Sequence, residues 1–133
     1  MLEVDWSTVR LFLHVLAATV WVGGQLTLAG LVPGLRSISP DAPRAVARRF
    51  NMLAWPAYLA LVATGVWNLF AVHATWHGRY GTTLILKVAV VGASGLSAFV
   101  HSRSRTRPGL AVWGAASGLT AVAALFLGVL LAG

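Results

Sequence analysis

Apolar residues fill this chain in four long stretches, and the polar positions inside them are few enough to name. Residues 11–35 lie between Arg10 and Arg36, residues 50–78 lie between Arg49 and Arg79, and residues 108–133 follow Arg107; none of the three carries a charge. A fourth stretch, 80–102, is interrupted only by Lys87. Each can supply the ~20 apolar residues that cross a hydrocarbon core as a helix. The pattern predicts an all-α integral membrane protein, a four-transmembrane-helix antiparallel bundle with helices at about 7–33, 42–74, 81–102 and 109–132. Four spans of that length leave no room for a soluble domain, so residues 1–133 read as a single membrane domain.

Three boundaries have local signals. Asp5 or Ser7 can cap the first helix after the interfacial Trp6, Pro33-Gly34 should end it, and Pro108 stands in the favoured first turn of the fourth. Pro56 should kink the second helix, because it removes one hydrogen bond and crowds the carbonyl of Met52. The first span begins with acids rather than a basic region and is long for a signal peptide, so it reads as retained.

The polar residues within the spans form stripes. Arg10, His14, Trp21 and Gln25 fall near one face of the first helix, and Tyr58, Gly65 and Asn68 share a face of the second. Lys87, Ser94 and His101 repeat every seven residues on the third. Polar atoms in lipid cost several kcal/mol unless they are met, so all three faces should look at protein. Gln25 and Asn68 read as interhelical hydrogen-bond partners. The fourth helix has no ionisable side chain and reads as scaffold, with Gly114 to Gly118 as a close-packing motif.

Composition agrees with the pattern. Of 133 residues, 58% are hydrophobic and 10% charged, against roughly 25% charged in soluble domains. The net charge of +7 would suit nucleic acid if it were spread over a surface. Instead seven of the ten basic residues sit in two loops, Arg36, Arg44, Arg48 and Arg49 in one and Arg103, Arg105 and Arg107 in the other. Both loops belong to one side of a four-helix bundle. The positive-inside rule then puts them in the cytoplasm and both termini outside, in a multi-pass protein of the cytoplasmic (inner) membrane with lipid as its partner and no nucleic acid. With no Cys there are no disulfides and no thiolate ligands.

Candidate chemistry gathers at the outer side. His14 and Lys87 each lie about one and a half to two turns below the outer start of their helices, which puts both ~10 Å into the membrane in one layer. For Lys87 the ordinary alternative is snorkelling to the interface; for His14 it is a neutral imidazole bonded to a neighbouring helix. Arg10 anchors at the interface or pairs a propionate or phosphate, since Arg takes oxyanions bidentately. Trp21 is core packing or the wall of a cofactor pocket. His73 and His77 stand four apart and could hold a metal if the second helix continues through them, and His101 reads as solvated among Arg103 and Arg105. A copper(I) path built from soft ligands is not visible, because there are two Met and no Cys.

Three strings carry a family resemblance: His14-Val-Leu-Ala-Ala-Thr-Val-Trp21-Val-Gly23-Gly24, then Ala47-Arg48-Arg49-Phe50 followed by Thr64-Gly65, and Tyr80-Gly81-Thr-Thr-Leu84-Ile-Leu-Lys87. Over about residues 10–102 the chain resembles the CopD-type copper resistance membrane domain. The same ground plan is similar to the HemJ-type protoporphyrinogen oxidases, four-helix proteins that bind haem b. The first likeness implies copper binding or transport, with His14 as a ligand helped by His73 or His77. The second implies His14 as axial ligand of haem b and Lys87 as the other ligand or a propionate partner. A third reading, from the small size and bland fourth helix, is an accessory subunit or homo-oligomer packed through Gly114 and Gly118.

Overall fold

The computed structural model describes residues 2–133 and is helical throughout its regular structure. α1 spans Trp6–Ala18 and runs through a π-helical turn, Thr19–Gly23, into α2, Gly24–Ile38. α3 is Ala42–Ala71, α4 is Gly78–Arg103 and α5 is Arg107–Ala132. With α1, the π turn and α2 as one continuous helix of 33 residues, four helices are long and apolar enough to cross a membrane. Their outer surfaces carry large apolar side chains such as Phe12, Leu59, Leu96 and Phe126, as a lipid-facing surface requires.

The chain divides into two compact units that meet in sequence at His73 and Ala74, each one helical hairpin. In the first, α1, the π turn and α2 pack antiparallel on α3; in the second, α4 packs on α5.

The helix ends follow from local chemistry. Asp5 closes a capping box: its carboxylate accepts from the Thr8 amide at 2.9 Å, and Thr8 Oγ1 accepts from the Asp5 amide at 3.4 Å. Hydrogen bonds to the Asp5 carboxylate from Ser7 Oγ, the Thr8 amide and Thr8 Oγ1 hold its carboxyl down at about 2. Pro33-Gly34 does not end the first helix, contrary to expectation; the helix continues to Ile38 with Pro33 inside it. The stop comes from Pro40, which forces the preceding Ser39 into extended backbone (φ −161°, ψ 142°). Ser37 Oγ donates to the Gly34 carbonyl at 2.6 Å and so satisfies part of the last turn. Pro56 is likewise carried within α3.

α3 ends at Ala71, three residues short of the expected 74, and α4 begins at Gly78 rather than 81. His73 stands in the left-handed region at φ 49°, which costs a β-carbon-bearing residue ~1 kcal/mol or more. His73→Gly should therefore raise thermal stability in detergent by about 0.5–1 kcal/mol. A lowered melting temperature would show that the imidazole makes a stabilising contact instead. Gly81 is buried under the preceding loop: a β-carbon there would land on the Trp76 carbonyl.

Within the second hairpin the Lys87–Ser94–His101 stripe faces α5. Lys87 Nζ lies 3.1 Å from the point a Gly128 β-carbon would occupy. Ser94, 1% exposed, donates to the Ser117 carbonyl at 3.1 Å, and Ser117 donates back to the Ser94 carbonyl at 3.3 Å. His101 Nδ1 donates to the Leu110 carbonyl at 2.9 Å, with its ring in the space left by Gly114. His101 is thus a hairpin latch rather than a solvated group, and its ring fills the space on the β-carbon side of Gly114. Gly118 keeps open space around it.

Candidate functional site

The first hairpin gathers most of the chain's unusual polar residues. Moving along α1 towards α2, the partners on α3 run backwards. His14 meets Thr64 and Gly65, Trp21 meets Tyr58 and Trp55, and Phe50 lies where a Gly24 β-carbon would be. Small residues permit this approach: Ala17 and Ala54 are buried, and His14 Cε1 comes within 3.5 Å of where a Gly65 β-carbon would stand.

The contact between His14 and Thr64 fixes a proton. Thr64 Oγ1 donates its one hydrogen to the Ala60 carbonyl at 2.6 Å, so towards His14 Nδ1, 2.9 Å away, it accepts. Nδ1 therefore carries the imidazole proton and Nε2 carries the lone pair. Thr64 is 6% exposed and His14 is half-buried. An outer partner that sets the tautomer and holds the ring is the arrangement found behind metal-ligating histidines.

One and a half to two turns deeper, Trp21 sits in the π-helical turn at 3% exposure. Its ring packs on Tyr58 (centroids 4.6 Å apart, planes at 44°) and on Trp55 (5.4 Å, 60°), and Trp55 meets Tyr58 edge-on at 5.8 Å. Such pairs add roughly 0.5–1.5 kcal/mol each beyond burial. Trp21 is thus built into an aromatic cluster at a turn type that recurs at functional sites. The turn has one more residue than an α-helical turn, so counting by 3.6 no longer gives the face beyond it. On the far side Gly24 is a position that receives a ring from α3.

Towards the other end, the same register puts Arg10 level with Asn68. Arg10 is only 9% exposed, and its Nε is buried without a hydrogen-bond partner among the described residues. Asn68 Oδ1 is buried and equally unmet, so Asn68 does not serve there as the expected interhelical bond.

Of the other expected ligands, His73 belongs to the first unit and His77 and Lys87 to the second. α3 stops before both histidines. His77 is the extended residue that precedes α4, so the helical i, i+4 face expected of the two is not formed. Lys87 lies in the second unit, against Gly128. Among the described residues no three His, Cys, Asp or Glu side chains are grouped as a metal site would need.

Thr64 and Trp55 are what sequence reasoning missed. Thr64 enters it only as half of Thr64-Gly65, although a hydroxyl residue beside a glycine in an apolar helix signals a close, hydrogen-bonded contact. Trp55 precedes Pro56 and carries no such cue. Comparison of the chain with family models, curated proteins and solved structures returned no match.

Proposed function

We propose that this is a multi-pass membrane protein of the CopD-like and HemJ-like ground plan that holds a metal centre at His14, and that the centre is haem b. The observation that carries the reading is the His14–Thr64 bond, which holds the imidazole in a fixed orientation between α1 and α3. The donor set supports haem over a bare ion. Haem iron brings four ring nitrogens and asks the protein for one or two axial ligands, whereas a protein-bound copper ion needs several side-chain donors. Among its described residues the first hairpin offers one oriented imidazole and no group of three His, Cys, Asp or Glu side chains.

When bound, the group would supply one-electron redox chemistry. The chain's own part is to hold the ligand. Thr64 keeps the proton on Nδ1, Gly65 makes room for the ring, and the Trp21–Trp55–Tyr58 cluster fills the hairpin below it. Arg-rich ends at the α2–α3 and α4–α5 connections support an orientation with both termini outside and His14 towards the outer side of the cytoplasmic membrane.

Copper binding or transport is the second reading, favoured by the likeness of the His14-to-Gly24 and Tyr80-to-Lys87 strings to CopD domains. One experiment separates the two: an absorption spectrum and elemental analysis of protein purified after expression with ample haem and copper. Haem b gives a Soret band and about one iron per chain, both lost in His14→Ala. Copper in place of iron, lost in the same variant, selects the second reading. Protein that holds neither metal sinks both.

A further inference from the structure

Arg10 poses a problem of charge. A guanidinium keeps its positive charge in proteins, and burying it without an anion is among the most unfavourable arrangements a side chain can adopt. The chain has only three acidic side chains, Glu3, Asp5 and Asp41. Asp5 is engaged by Ser7 and Thr8 in the α1 cap, Glu3 is exposed, and Asp41 lies at the opposite end of the hairpin before α3. No carboxylate lies within the helices, yet Arg10 is 9% exposed with its Nε unmet.

The position narrows what could meet it. Arg10 is one turn inside Trp6, a largely exposed ring at the start of α1, and Asn68 is three residues before the end of α3. Both therefore lie within ~6 Å of their helix ends, at the depth where lipid headgroups meet the protein. The second unmet atom, Asn68 Oδ1, is an acceptor. A ligand that satisfies both needs an oxyanion for Arg10 and an N–H or O–H donor for Asn68.

We propose that Arg10 and Asn68 form a headgroup site for a phospholipid of the ethanolamine type, its phosphate on the Arg10 guanidinium and its ammonium on Asn68 Oδ1. Arg pairs phosphate through parallel N–H bonds, and an ammonium offers three donors to an amide oxygen. A choline headgroup has the same phosphate and no N–H, so it meets only half of the site. The site is independent of any metal at His14, because the lipid can be measured on protein that carries none.

Native mass spectrometry of the metal-free protein, released from detergent with phosphatidylethanolamine or phosphatidylcholine added, tests this directly. The parent chain should retain one phosphatidylethanolamine and hold phosphatidylcholine about tenfold more weakly, the worth of one hydrogen bond to a charged group. Arg10→Gln should lose about tenfold or more for both lipids. Asn68→Asp gives Arg10 a carboxylate of its own and should abolish specific retention in a chain whose helical circular dichroism is unchanged. That variant decides the matter if Arg10→Gln does not fold. Equal retention of both lipids by the parent, or undiminished retention in Asn68→Asp, would overturn the assignment. So would an Arg10→Gln variant that keeps its lipid and loses haem, which would make the anion a propionate.

Discussion

Thr64→Val is expected to weaken retention of the metal centre at His14 by about 10- to 100-fold, the usual cost of removing the hydrogen-bond partner behind a metal-ligating histidine. The substitution keeps the shape of the side chain and removes the acceptor for Nδ1–H, 2.9 Å away. The imidazole then loses what fixes its tautomer, and a donor is left unmet in an apolar hairpin at a cost of about 1–3 kcal/mol. Thr64→Ser keeps the hydroxyl and should retain most of the affinity. Titration of the purified variants with haem, read in the Soret band, gives the two numbers. A Thr64→Val variant that binds like the parent would show that the tautomer is set by something else.

The second large effect is expected in the other hairpin. Gly81→Val places a β-carbon against the backbone carbonyl of Trp76, and backbone cannot rotate out of the way as a side chain can. The loop before α4 has to move or the helix has to start later, with a destabilisation of about 3 kcal/mol. Gly92→Ala is the control, since nothing lies within 4 Å of its β-carbon position. It should be neutral, or stabilising by up to ~1 kcal/mol through helix propensity. Thermal unfolding in one detergent compares the three proteins, and equal melting temperatures for Gly81→Val and Gly92→Ala would refute the packing argument. The test also gives a physical sense to the Tyr80-to-Lys87 string: Gly81 admits the loop, Leu84 is buried, and Lys87 reaches the Gly128 position on α5.

The four spans are legible because membrane helices declare themselves through what they lack, and the charge-free runs after Arg10, Arg49 and Arg107 mark three of them directly. The inward faces are legible in part. Arg10 is buried as expected, and His14 and Trp21 do lie against α3, where Gly65 and Tyr58 meet them as the stripe implies. The helix ends are less so, because two prolines competed. Pro33 looks like a stop, but its missing N–H removes a single bond in a helix already near its end, while Pro40 constrains the backbone of the residue before it. The π turn at Thr19–Gly23 leaves no trace in periodicity, since it adds one residue to a single turn. The seven-residue stripe Lys87–Ser94–His101 is real as a face, but its partners are the small residues and carbonyls of α5. Small residues and backbone carbonyls give no polar signal, so these partners within the second hairpin could not be read from the sequence.

The reciprocal bonds between Ser94 and Ser117 bear on how the protein is made. Each serine hydroxyl donates to the other's backbone carbonyl, and both side chains are almost wholly buried between α4 and α5. As the two helices leave the insertion machinery one after the other, each brings the partner that the other's hydroxyl needs. The last two spans are therefore suited to enter the bilayer as a pre-paired unit, with neither serine left to face lipid alone on the way.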